Sequence, residues 1–421
     1  MACSASTCQS NCYRNEEHED ESSLPSPKSI ANNGNHHGLC FKCKTNRPMS
    51  SSSGDGERFC GDCFRSNLFS KFRQAVTSNA MITPTDNVLV AFSGGASSRV
   101  ALQFVHEMQQ RAQKNFEASM DRSLPVFGVG VAFVDESAIC SVPSCEVSQG
   151  FEEIRDIVSN LAPPTKELLI VPIESVCSSE SNDGKDQLRK LLDAVTDATG
   201  KEDLQAHLRM LSLQKVASEN GYNRLVLGSC TLRIACHVIL ATVKGSFKTT
   251  EVIRSPCTGI NGLVSSFVKL LREENPSRES TIVRTAGKLT PFHFNRIPEI
   301  NDSNVPLATR RRQKRHNLKP NESISSESFC SICNSPLSRS DLLSLGNVET
   351  CHTNSVVFSA ECCSSCQFQI LPKDPVLVEN FRTLLPQTLL SQAKHSKADN
   401  LSLLRAQIQD CLLSDAQDDE T

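Results

Sequence analysis

Between Asn87 and Arg111 the chain reads NVLVAFSGGASSRVALQFVHEMQQR, and no other stretch limits the fold so tightly. Asn87–Phe92 is a short run rich in Val and Leu, the composition of a strand buried on both faces. Ser93-Gly94-Gly95-Ala96-Ser97-Ser98 follows at once. Its glycines and small side chains let the backbone turn tightly and lie close to a ligand. From Ser98 onward Val100, Ala101, Phe104, Val105 and Met108 recur at helical spacing. A strand therefore runs into a glycine loop, and the loop opens a helix. Backbone N–H groups and the positive helix end then converge on one spot, where a phosphate can sit. Two glycines alone are equally compatible with a turn that holds nothing.

Strand-like and helix-like segments alternate beyond this unit. Residues 124–134 (LPVFGVGVAFV), 168–173 (LLIVPI) and 224–227 (RLVL) read as strands. Residues 150–161, 184–197, 201–220 and 232–243 read as helices, with 137–145 a loop. Short apolar strands joined by helical crossovers predict an α/β fold with a doubly wound parallel sheet. Ligands of such sheets bind outside the carboxyl ends of the strands. Ser93–Ser98 ends the first strand and Gly228–Cys230 the fourth, so the two loops are expected to face one crevice. Ahead of the sheet, 64–81 reads as a connecting helix with Leu68, Phe69, Phe72 and Val76 on one face. After it, only 262–271 reads as a further amphipathic stretch among polar turns, and Leu289-Thr290-Pro291-Phe292 closes the domain.

The cysteines supply the strongest local signal. Of 20, eight fall in CxxC pairs. Cys40 and Cys43 are separated from Cys60 and Cys63 by a polar, glycine-containing excursion, 44–59. Four soft thiolates at this spacing can close a tetrahedral zinc site with no open position for water. Cys330 and Cys333 with Cys363 and Cys366 repeat the pattern across a longer excursion. There Cys362 competes with Cys363 as third ligand, and Cys351-His352 lies between the pairs. Two structural zinc sites are expected, each contributing to folding, although sets of four cysteines also bind iron–sulfur clusters.

Six segments follow: a polar, disordered stretch (1–38), a first zinc ribbon (39–66), the α/β domain (67–300), a basic linker (301–328), a second ribbon (329–372) and a helical tail (373–421). In the tail, 376–390 is an apolar segment broken by Pro386, and 401–413 is a candidate helix before an acidic end. The net charge of −3 excludes a global basic field. The linker nonetheless carries Arg310, Arg311, Arg312, Lys314 and Arg315. Such a run is usually a solvated segment, and otherwise contacts RNA phosphates or serves nuclear import. No apolar run reaches the roughly 18 residues of a membrane span. The first residues form no apolar signal core, so a reducing, cytoplasmic setting is expected.

Ser93–Ser98 resembles the SGGxDS loop of the PP-loop ATP pyrophosphatases, which adenylate a substrate carbonyl before a nucleophile displaces AMP. Ser97 stands where that family has Asp. The order of cysteine ribbon, PP-loop domain and second cysteine set resembles the tRNA 2-thiolation proteins over about Leu39 to Pro372. The resemblance rests on CFKC with CGDC, AFSGGASS, RLVLGSCTLRIACHVIL, and CSIC with CSSC. It implies a PP-loop type of sheet, with Ser93, Gly94, Gly95, Ser97, Ser98 and Gly228 around an adenine nucleotide. It implies tRNA as substrate and 2-thiouridine at the wobble position as product. It further implies a heterodimer with a catalytic PP-loop subunit, and sulfur arriving from a thiocarboxylated ubiquitin-related modifier.

The departures favour the partner subunit over the catalytic one. Catalytic relatives carry GHNADDxAE after the fourth strand, and here Leu232, Arg233 and Cys236 stand where those acids would be. They also carry a CxxC on the preceding helix, whereas 201–216 contains no cysteine. Sulfur transfer needs an attacking thiolate, and adenylation needs metal-bound phosphates. Cys230 or Cys236 as a substitute thiol would make the chain an active sulfurtransferase. Cys140 and Cys145 remain, and unpaired cysteines are commonly small core residues. A structural zinc protein with no RNA role is the third reading.

Overall fold

The structure, a computed structural model, describes residues 38–49, 59–78, 81–119, 125–140, 143–177, 181–244, 259–286, 329–335, 337 and 358–390. The polar N-terminal stretch, 289–292, the basic run at 310–315, Cys351-His352 and the helix expected at 401–413 lie outside them. The chain divides between Leu68 and Phe69 into two compact units.

Among the described residues of the larger unit, four strands pair in parallel: β1 (Asn87–Ala91), β2 (Gly128–Asp135), β3 (Glu167–Pro172) and β4 (Arg224–Leu227). Their order is β3-β2-β1-β4. Val88 stands opposite Val129 on one side and Arg224 on the other. The chain steps outward from β1 through β2 to β3, then returns to place β4 on β1's free side. The order thus reverses between β1 and β4, and the crevice outside their carboxyl ends is the switch point at which such sheets bind ligands.

Strand periodicity sorts the core. Val88, Val90 and Phe92 face one layer, against Leu102 and Val105 of α2 (Ala96–Ala118) and Ile154 and Val158 of α3 (Ser144–Ser159). Leu89 and Ala91 face the other, with Leu188 and Leu191 of α4 (Ser181–Asp193) and Leu204 and Leu208 of α5 (Ala198–Glu219). The second cysteine module shares this latter core. Cys330, Ile332, Cys363 and Cys366 belong to it, as do Phe381 and Val378 of the C-terminal helix. Gly200 shows how close the packing is: a Cβ there would stand 1.9 Å from the Gln369 carbonyl oxygen. α6 (Thr231–Lys244), α7 (Gly259–Glu274) and α8 (Ser277–Ala286) form a separate apolar cluster around Ala235, Cys236, Leu240, Val264 and Val268.

Several boundaries shift for local reasons. α2 starts at Ala96 because Gly95, extended at φ −73° and ψ 160°, occupies the cap position. β2 begins at Gly128, four residues later than the apolar run suggests. α3 begins at Ser144, so Cys145 is helical and not in a loop. α4 ends at Asp193, since Asp197 instead caps α5 by accepting the Gly200 N–H at 2.7 Å. α8, expected as polar turn, is a helix with no fully buried residue, too polar for an apolar period to reveal it. A C-terminal helix, Pro375–Leu384, ends where Leu385 goes extended before Pro386.

Candidate metal centres and the glycine loop

The smaller unit holds the first cysteine set. The thiols of Cys40, Cys43, Cys60 and Cys63 all lie within 4.8 Å of one another. A tight turn presents the first pair. Cys40 N–H donates to Asn46 O at 2.7 Å, Lys44 N–H donates to Cys40 O at 2.9 Å, and Lys44 takes the left-handed φ of 54°. The second pair opens α1 (Gly61–Ser78), with Phe64 N–H on Cys60 O.

The second set repeats this plan inside the larger unit. Cys330, Cys333, Cys363 and Cys366 also lie within 4.8 Å of one another and are all buried. Cys330 N–H donates to Ser335 O and Asn334 N–H to Cys330 O, both at 2.8 Å, and Asn334 has φ 53°. Cys363 caps a short helix, Ser364–Gln369. Cys362 is excluded from the set and donates its S–H to Phe358 O at 3.4 Å. The four mutually close thiols are thus those in CxxC register, with Cys363 among them.

The electrostatics suit a cation. The Thr45 hydroxyl, helped by the amides of Asn46 and Thr45, lowers the Cys43 thiol to about 5. Hydrogen bonding to Cys60, with burial, pushes Cys63 up to about 12. In the second set burial opposes ionisation of Cys330, yet hydrogen bonds from Cys333, Cys362, Cys363 and Cys366 hold it well below the usual thiol range. Hydrogen bonding to Cys330 holds Cys366 well above that range. Thiols this close cannot all ionise unless a positive charge sits among them. Four sulfur donors per set fit a tetrahedral metal ion with every position taken by protein.

The glycine loop is held by one hydroxyl. Ser98 Oγ accepts the Ser93 N–H and the Ser93 hydroxyl, each at 3.2 Å, and donates to Gly95 O at 2.9 Å. Gly94 adopts φ 74°, a conformation that favours glycine. Gly228, at the end of β4, packs directly on this staple: a Cβ there would stand 2.3 Å from Ser98 Cα. The structure thus joins Ser93, Gly94, Gly95, Ser98 and Gly228 in one loop pair at the switch point, as expected. Ser98 is buried and internally bonded, while Gly94, Gly95 and Ala96 are exposed and Ser97 half-buried. The α2 N-terminus has no side-chain cap and no acid in its first turn, a setting that would favour an anion.

Acids stand at the other strand ends, and only the tertiary structure shows what they bind. Glu136, just past β2, forms a two-point ion pair with Arg209 of α5, including Arg209 Nη2 to Glu136 Oε2 at 3.0 Å. Asp135 accepts from Ser137 N–H and hydroxyl at 2.9 and 3.1 Å. Glu174 lies 3.6 Å from Lys185. Each carboxylate at this edge is already engaged. Of the spare cysteines, Cys236 is buried in the α6–α7–α8 cluster, and burial raises its thiol. Burial and the Glu174 charge push Cys177 up to about 11. Neither is poised as a nucleophile.

No family model matches the chain. Full-length relatives do. It is 55% identical over 460 aligned positions to cytoplasmic tRNA 2-thiolation protein 2 of Arabidopsis thaliana, covering 99% of this chain and 100% of that one. The protein of the same name in Oryza sativa subsp. indica is 45% identical over 419 positions, covering 90% of each chain. The chain belongs to the cytoplasmic tRNA 2-thiolation protein 2 family. In both alignments more positions are aligned than the matched part of this chain has residues, so both family members carry residues that this chain lacks. The human family member is 33% identical over 140 positions, 33% of this chain and 25% of that one. Among solved structures, the U34-tRNA thiolase NcsA from Methanococcus maripaludis with its 4Fe-4S cluster is similar at TM-score 0.44 and 15% identity. That match covers 59% of this chain and 87% of that one. Among the described residues no helix is long and apolar enough to cross a membrane.

Proposed function

We propose that this chain is the non-catalytic subunit of a cytoplasmic tRNA 2-thiolation complex. In this reading it is required for 2-thiouridine at the wobble position of Lys, Glu and Gln tRNAs. Its partner is a catalytic PP-loop subunit, and a thiocarboxylated ubiquitin-related modifier brings the sulfur. The observation that carries the reading is the identity to relatives of that name along nearly the whole chain. Each four-cysteine set holds zinc in a structural role, because four buried or half-buried thiolates saturate a tetrahedral ion. The residues around the glycine loop agree with a subunit that does not run the chemistry. Ser97 replaces the family's loop Asp, the nearby strand-end acids are engaged, and Cys236 is a core thiol. ATP, if held, rests on the exposed amides of the Gly94–Ser97 turn. The basic run, Arg310, Arg311, Arg312, Lys314 and Arg315, is the candidate contact to tRNA phosphates.

The test is 2-thiouridine content in bulk tRNA from cells lacking this protein, with rescue by wild type or by Gly94→Asp. Loss restored by both forms is expected. Unchanged thiouridine in the deletion overturns the pathway. Loss that Gly94→Asp fails to restore, although that variant accumulates normally, overturns the non-catalytic assignment.

A further inference from the structure

A module closed by a metal ion needs little apolar burial to fold. The smaller unit, Met1–Leu68, follows that rule: among its described residues only Cys40 and Cys60 are buried. Its large apolar side chains lie outside. Leu39, Phe41, Met49, Phe64 and Leu68 are all exposed, with Phe41 at 66% and Phe64 at 47%. Apolar surface that a fold does not use for its own core marks a docking site.

The thiols hold this surface together. Phe41 follows Cys40 and Phe64 follows Cys63, in a set whose sulfur atoms all lie within 4.8 Å of one another. The first knuckle is also tied to the second. Asn46 Nδ2 donates to Cys60 Sγ at 3.9 Å, and Met49 N–H donates to Phe59 O at 2.9 Å. The two rings therefore stand on one small module, and placing them costs a ligand little.

The charges identify the class of ligand. Lys42, Lys44, Arg47 and Arg65 are exposed, against Asp62 as the single acid among the described residues of the unit. These bases outnumber Asp62 together with the two negative charges that four thiolates around a divalent ion would leave. They also interleave with the rings, as Phe41-Lys42 and Phe64-Arg65. The centres of protein–protein interfaces are depleted in Lys. Rings on which bases stack, beside cations that meet phosphates, are the recognition mode for unpaired nucleotides.

We propose that the first cysteine ribbon is a binding site for unpaired nucleotides of tRNA, with bases stacked on Phe41 and Phe64 and phosphates on Lys42 and Lys44. The choice of tRNA as the RNA rests on the thiolation reading. The ribbon is an RNA site separate from the basic run at 310–315.

Fluorescence titration of the full chain, alone and with its catalytic partner, tests it. The probes are an unmodified lysine tRNA transcript, a short single-stranded oligouridylate and a duplex RNA of the same length. Replacing Phe41 and Phe64 together by alanine is expected to weaken binding of the tRNA and the oligouridylate by at least about tenfold. Duplex binding and metal content should not change. Lys42→Ala with Lys44→Ala should lower the slope of log affinity against log salt by about 1.4. Should alanine cost the ribbon its metal, Phe41→Leu with Phe64→Leu keeps the apolar bulk, removes the rings and gives the same comparison. Unchanged oligouridylate affinity in the variant that retains its metal overturns the ribbon site and leaves the thiolation reading standing. A variant that loses the catalytic subunit but keeps its RNA affinity also overturns the site, since the patch then seats protein. Absence of tRNA binding in both forms overturns the thiolation reading along with it.

Discussion

Replacing Gly228 by alanine probes the contact on which the switch-point crevice is built. The added Cβ would stand 2.3 Å from Ser98 Cα, 2.7 Å from Ser98 N and 2.9 Å from Ser98 Cβ. Carbon atoms in packed interiors sit about 3.5–4 Å apart, so a displacement of more than about 1 Å is required. Neither side gives easily. Gly228 follows directly on β4, which pairs with β1, and Ser98 lies in the first turn of α2 while its hydroxyl ties Ser93 to Gly95. Overpacking of this kind costs about 1–3 kcal/mol, and the stiff backbone on both sides puts Gly228→Ala near the upper figure. For a unit spanning Phe69–Thr421 that corresponds to a fall of roughly 4 °C in melting temperature. Gly150→Ala is the control. Nothing lies within 4 Å of its Cβ position in the middle of α3, so alanine should stabilise by about 0.5–1 kcal/mol through helix propensity. Urea unfolding followed by circular dichroism measures both. A Gly228→Ala midpoint indistinguishable from wild type would refute the close approach of the two loops.

Two further outcomes follow from the thiols and a half-buried lysine. Cys363→Ser should remove the metal of the second set and destabilise the core it shares with α4 and α5, whereas Cys362→Ser should keep it; metal analysis of the purified variants distinguishes them. Burial lowers Lys166 to about 8, while its ammonium donates to the Pro164 carbonyl at 2.9 Å and lies 2.8 Å from His106 Nδ1. The unfolded chain then holds the extra proton between about 8 and the ordinary lysine value of 10.5. Lys166 therefore contributes stability above that window that is lost as pH falls through about 8. Lys166→Met should flatten the corresponding slope in denaturant midpoints measured from roughly pH 7.5 to 10.5.

The chain's own sequence determined the parallel α/β plan, the β1–loop–α2 unit and the grouping of the eight CxxC cysteines into two sets. These are written in local patterns: a buried strand reads as an apolar run, a glycine turn must follow it closely, and CxxC spacing brings two thiols together without help from the rest of the fold. Tertiary structure decided what local pattern cannot carry. Cys362 lies against both the Phe358 carbonyl and the Cys330 thiol, a placement that no spacing announces. The Glu136–Arg209 pair and the Gly200 contact with Gln369 join residues far apart in sequence, so no spacing announces them. Ser98 looked like a phosphate contact and is the staple of its own loop. α8 was hidden because a mostly exposed helix needs only Ile282 and Val283 to hold it against α6 and α7. The open edge of β4 belongs to the same class: four residues read as a strand anywhere, and only the sheet order shows that one of its sides has no neighbour among the described residues.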